Sequence, residues 1–313
     1  MSSSTSTSKK WLLFYLAALI LTAGVGLIYA TRFEPETQFW TKIFQQRRAE
    51  MARRSDAPHV LFTGDSACAF GIDAKVFTQE SGIPSFNLGG TRQMGIEIFM
   101  EETLRQTKKG DTIVLICNPK LLVKAESAPL TKAGAQMALA LSGESDLSEK
   151  ITASRPGFNH LITHGAKLGL HRPAFAYQIE NYHPGGLVTT AERPQQSGQN
   201  DAFEISQSDL ISASHSLTYW AERCKVAGAT LAYLIPLELT SQEVVEKNRE
   251  FKDAFRLEFA AQVSSVKFPK SPQQGCSSDS SLFADTLFHL TAEGAATFTR
   301  ELTQDVVRTI QSP

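Results

Sequence analysis

Two short stretches carry the residues able to do chemistry. One is VLFTGDSACAFGID, Val60 to Asp73, in which a hydrophobic run ends in Gly64, Asp65 and Ser66 and continues through the small residues Ala67, Cys68 and Ala69. The other is FADTLFHLTAEG near the C-terminus, which sets Asp285 and His289 four residues apart just before the last helical pattern. A serine hydroxyl becomes a nucleophile when an imidazole takes its proton, and a carboxylate then fixes that imidazole's tautomer and orientation. Ser66, His289 and Asp285 supply those three roles, and the chemistry is acyl transfer through an acyl-enzyme. Taken alone, His289 would read as a capping or surface residue. None of the other histidines has a comparably placed acid at the lip of a sheet.

The elements that must position these groups follow from periodicity. Gly64 allows a sharp turn where the strand ends. Ser66 then falls at the start of the next helix, where backbone N–H groups can receive a developing negative charge. In a parallel α/β sheet the C-terminal ends of the strands are where a site forms. Short apolar β runs at His59–Thr63, Ser85–Leu88, Thr112–Cys117, Thr230–Pro236 and Ser264–Phe268 alternate with helical patterns. Those patterns are Met94–Lys108, Leu210–Val226, Ser241–Gln262 and Ala292–Ile310. The alternation predicts an α/β fold, a three-layer α/β/α sandwich around a mostly parallel sheet. Residues 121–208 break it and read as a long, partly helical insertion of the kind that carries specificity.

Ahead of the domain, Trp11–Ala30 is an uncharged run of the length that spans a bilayer as one helix. Residues 1–10 read as a cytoplasmic leader and 11–31 as a transmembrane anchor, with a signal peptide cleaved after Ala30 as the rival reading. Lys9 and Lys10 favour a cytoplasmic N-terminus, whereas Arg32, Lys42, Arg47 and Arg48 argue the other way, so charge leaves orientation open. The expectation adopted is a single-pass protein of the cytoplasmic membrane with its domain on the extracytoplasmic, periplasmic side. Residues 32–57 form a juxtamembrane helix or linker. Within it, Gln38–Arg54 groups Phe39, Trp40, Ile43 and Phe44 ahead of Arg47, Arg48, Arg53 and Arg54. That pattern suits either a membrane surface or packing on the domain at 58–313. A net charge of −1 over 313 residues gives no global field toward nucleic acid.

With FNLGG at Phe86–Gly90 between them, the two chemical stretches resemble the SGNH (GDSL-like) hydrolase superfamily. GDS at Gly64–Ser66 matches the first block, FNLGG the second, and DTLFHL at Asp285–Leu290 the last, in the family's order. The resemblance implies a flavodoxin-like sandwich with Ser66 as nucleophile, His289 as base and Asp285 as its orienter. It also implies an oxyanion hole made by the Ser66 N–H, a block-two glycine (Gly90 rather than Gly89) and the side chain of Asn118. The third block departs from the family's Gly-x-Asn-Asp, because the strand TIVLIC runs into Asn118-Pro119-Lys120. Arg92 is a candidate contact for an anionic or sugar substrate, or else a helix cap.

Within that superfamily the chain is similar to membrane-anchored proteins of cell-envelope polysaccharide O-acetylation and teichoic-acid D-alanylation. That likeness implies a multi-pass membrane acyltransferase as partner and a polysaccharide or glycopolymer as acceptor. Two functions stand side by side: an O-acyltransferase or esterase acting through Ser66, and a non-catalytic scaffold subunit of an acylation complex. Cys68, Cys117, Cys224 and Cys276 are an even count in a compartment expected to be oxidising. Cys68–Cys117 with Cys224–Cys276 is the preferred pairing of the three available, with buried free thiols as the other reading. No two of them have zinc-ligand spacing, and no metal or cofactor is expected.

Overall fold

The structure, a computed structural model, describes residues 4–32, 35–123, 177–190 and 204–312. Strands β1 (Val60–Gly64), β2 (Ser85–Asn87), β3 (Thr112–Ile116) and β4 (Thr230–Leu234) form a wholly parallel sheet in the order β2-β1-β3-β4. Val60 pairs with Ser85 on one side and Thr112 on the other, and β1 and β3 finish level, with Gly64 opposite Ile116.

Eight helices are described: α1 (Ser4–Arg32), α2 (Pro35–Met51), α3 (Ser66–Gly71), α4 (Ala74–Ser81), α5 (Ile96–Gln106), α6 (Gln207–Val226), α7 (Val245–Gln262) and α8 (Ala292–Gln311). Strands β1, β3 and β4 are mostly hydrophobic, as expected where helices cover both faces of the sheet. On one face Val60, Phe62, Val114, Ile116, Ala232 and Leu234 share a core with Phe298, Leu302 and Val306 of α8. The alternate residues point the other way, where Thr63 accepts a 2.8 Å bond from Thr103 of α5. The expected α/β sandwich is therefore present.

Some elements differ from expectation. The run Ser264–Phe268 contributes a single parallel bridge, Ala232 to Lys267, in place of a strand. Pro269 follows immediately and cannot donate to a ladder. A small parallel pair, β5 (Glu238–Leu239) and β6 (Cys276–Ser277), is an addition. All four cysteines are buried free thiols, so Cys68–Cys117 and Cys224–Cys276 are not formed. Cys68 faces Asn87 Oδ1 at 3.5 Å, while Cys224 lies on α6 and Cys276 in β6. Each thiol is buried, Cys68 on α3, Cys224 on α6, Cys276 in β6 and Cys117 just past the end of β3.

The chain divides into two compact units, Met1–Gln45 with Ala128–Tyr177, and Gln46–Ser127 with Gln178–Pro313. In the first, α1 is a single 29-residue helix. Among the described residues no helix is long and apolar enough to cross a membrane, so the expected span at 11–31 is a helix but not a demonstrated crossing. The aromatic residues of α2 are buried, with Phe39 edge-on to Trp40 and Trp40 stacked on Phe44.

In the second unit Arg48 and Arg54, two of the arginines expected on lipid phosphates, have protein partners instead. Arg48 meets Glu102 and Arg54 meets Asp111, each at 2.7 Å. Most of the expected insertion lies outside the described residues. Its portion 177–190 holds a 3-10 turn, Ile179–Asn181, and a bridge from Tyr182 to Val188.

Candidate active site

The end of β1 is shaped by what cannot fit there. Gly64 has φ 145°, and a Cβ on it would lie 1.8 Å from the Ile116 carbonyl oxygen, so only glycine lets β1 run this close to β3. Asp65 follows as the N-cap of α3, its Oδ1 accepting the Ala67 N–H at 2.9 Å. Its carboxylate also takes the backbone N–H of Asn118, which ties the ends of β1 and β3 together. Burial pushes the Asp65 carboxyl up to about 6, against those two hydrogen bonds and the charges of Arg92 and His289. In the sequence Asp65 stands out only as part of GDS. An acid directly before a helix of small residues was the available signal for a cap. Ser66 opens α3, partly exposed, and its N–H makes no hydrogen bond among the described residues.

The histidine arrives on a loop closed by a bridge from Phe283 to Leu290. The Ala284 N–H donates to the His289 carbonyl at 2.8 Å, and Thr286 Oγ1 accepts the N–H of His289 at 3.0 Å. These bonds turn the loop so that His289 Nδ1 stands 2.8 Å from Asp285 Oδ1, both side chains mostly buried. The imidazole lies on the ring of Phe70, with centroids 4.2 Å apart and planes 12° from parallel. Phe70 is four residues after Ser66 on α3, and residues so spaced share a helix face. The structure thus sets His289 over the helix that Ser66 begins, one turn along.

The second block does different work from that expected. Asn87 Nδ2 donates to the carbonyls of Cys68 and Ile72, each at 2.8 Å, while its Oδ1 accepts the Gly89 N–H at 2.9 Å. A Cβ on Gly89 would lie 2.5 Å from the Ala69 nitrogen, so FNLGG is pressed against α3. Gly90, expected as an oxyanion donor, gives its N–H to the Gly64 carbonyl at 2.8 Å and is not free to meet a substrate in this conformation. Asn118 accepts the Lys120 N–H on Oδ1 at 3.0 Å, which leaves the NH2 end of the amide as its outward donor. Arg92 is exposed in the 3-10 turn Arg92–Met94, where Thr91, not Arg92, holds the cap position; its charge acts on Asp65.

Two supports escaped the sequence reading. The Gly185 carbonyl accepts the Asn87 N–H at 2.7 Å, and the Val188 N–H donates to Ala69 O at 3.0 Å, so part of the insertion braces both β2 and α3. The Gly185-Gly186 pair was its only signal. Arg47 of α2, buried against the same loop, gave none. Among the described residues no cluster of His, Cys, Asp and Glu could hold a metal ion.

No protein-family model and no curated protein matches the chain. Among solved structures, a Streptococcus pneumonia protein named for platelet activating factor is similar at 13% identity, with a TM-score of 0.42 over 86% of this chain and 93% of that one.

Proposed function

We propose that the chain is a serine esterase or O-acyltransferase with Ser66 as nucleophile. The observation that carries this reading is the Asp285–His289 pair stacked on Phe70, one helical turn from Ser66. Ser66 Oγ would attack an acyl carbonyl and pass its proton to His289 Nε2, while Asp285 holds Nδ1 and stabilises the imidazolium. The Ser66 N–H and Asn118 Nδ2 would receive the oxyanion. His289 returns the proton to the departing alcohol, and water or a sugar hydroxyl then takes the acyl group from Ser66.

The acceptor in this reading is a cell-envelope polysaccharide or glycopolymer, and the acyl donor a multi-pass membrane acyltransferase. Both follow from the motif resemblance. The domain is placed on the extracytoplasmic side of the cytoplasmic membrane, held there by α1. Supporting an apolar surrounding for α1, its large apolar side chains stand exposed, Leu19 and Leu21 at 70%.

Incubation with a fluorophosphonate probe, followed by peptide mapping, tests the chemistry. Label on Ser66 that disappears in His289→Ala supports it, and an unlabelled folded protein leaves the scaffold reading in its place. The committed Gly90 N–H is the observation favouring that second reading. A reporter enzyme active only outside the cytoplasm, fused after Pro313, tests the placement, and activity of cytoplasmic reporters alone would overturn it.

A further inference from the structure

Arg47 is 3% exposed, and among the described residues its guanidinium forms no ion pair, although the charge of Glu50 one turn along α2 acts on it. One Nη donates to the Gly89 carbonyl, the other to the Gly186 carbonyl at 2.8 Å, and the group lies 5.9 Å over the ring of Tyr182. A buried cation is costly, and an apolar side chain of similar volume would fill this slot without that cost. Packing alone therefore does not account for an arginine here. What arginine adds is a rigid planar fork able to hold two acceptors in fixed relation.

The two acceptors come from distant parts of the chain. Gly89 belongs to the FNLGG loop pressed on α3, and Gly186 to the segment bracing β2. The Gly89–Gly90 peptide is fixed at both polar ends, its carbonyl by Arg47 and its N–H by the Gly64 carbonyl at 2.8 Å. Glu50, one turn further along α2, accepts the Gly185 N–H at 3.0 Å, so α2 grips the glycine pair from both sides.

We infer that Arg47 is a positioning residue for the serine site: through the Gly89 carbonyl it sets the peptide that carries the chain into Thr91 and Arg92 beside the strand end bearing Ser66. This rests on the serine reading above. Arg47→Met keeps the bulk and removes the fork, while Arg47→Lys keeps the charge but offers no plane for two carbonyls.

Turnover of p-nitrophenyl acetate should show kcat lowered about 10- to 100-fold in Arg47→Met with KM within twofold of wild type, as expected when a reacting geometry slips. Fluorophosphonate labelling of Ser66 should slow in parallel. A folded Arg47→Met with wild-type kcat overturns the inference. Should that variant fail to fold, Arg47→Lys decides by the same criteria. Hydrogen exchange of the 87–92 segment reads the clamp itself, apart from catalysis. Faster exchange in Arg47→Lys alongside an unlabelled wild type refutes the serine reading while retaining the clamp; unchanged exchange refutes the clamp.

Discussion

His289 lies flat on Phe70, with ring centroids 4.2 Å apart and planes 12° from parallel. The imidazole is thus held by packing on one side and by Asp285 Oδ1 at 2.8 Å on its edge. Phe70 is 1% exposed, so Phe70→Ala should cost about 3–5 kcal/mol in stability. Phe70→Leu is the informative variant. It should cost roughly 1–2 kcal/mol yet lower ester turnover more than that loss explains, because the ring beneath His289 is gone. Melting temperature and kcat measured together check this.

Ser66, His289 and Asp285 should behave as a unit. Ser66→Ala and His289→Ala should each remove most activity, and the double variant should lose little more. Asp285→Asn should lower kcat by about ten-thousandfold, since an amide can favour the wrong tautomer. Asn118→Ala should cost about a hundredfold or more as a lost oxyanion donor. Steady-state kinetics on an activated ester, with circular dichroism to confirm folding, reads all of these. Additive losses for Ser66 and His289 would break the triad assignment.

Asp65 titrates at about 6 in place of its ordinary 3.8, chiefly because burial disfavours its charge. The folded protein therefore holds this proton more tightly than the unfolded chain does. That contribution to stability is complete below the unfolded value of 3.8 and is lost as pH rises through about 6. Asp65→Asn cannot ionise, so its melting temperature relative to wild type should rise across that window and level off above it. A difference that stays flat with pH would show that Asp65 ionises as freely in the fold as in the unfolded chain.

The cysteines should react only on unfolding. Burial pushes the thiols of Cys68, Cys117, Cys224 and Cys276 up, Cys224 to about 12, which keeps them protonated and inert. Alkylation without reductant should be negligible in the native protein and should reach all four thiols in denaturant. Thiols missing from the denatured count would indicate a disulfide.

Gly64→Ala should lower the melting temperature steeply. Strain at φ 145° and a Cβ 1.8 Å from the Ile116 oxygen together exceed about 3 kcal/mol. Thermal unfolding of the purified variant measures it, and a wild-type melting curve would mean that β1 and β3 can part at no cost.

Much of this was legible in the sequence because it is encoded locally. The apolar run Val60–Gly64 gives a buried strand, Thr291 ahead of the Phe298, Leu302 and Val306 stripe gives the last helix, and Asp285 four residues before His289 gives a pair one loop can join. What the sequence could not settle depends on partners remote along the chain. Gly90's N–H is used by Gly64, Arg47 by Gly89 and Gly186, and the four cysteines go unpaired. A backbone N–H, a guanidinium and a thiol carry no mark of who will meet them. Only the packed fold assigns those meetings, because burial obliges each polar group to find a partner among whichever segments the sheet has brought within reach.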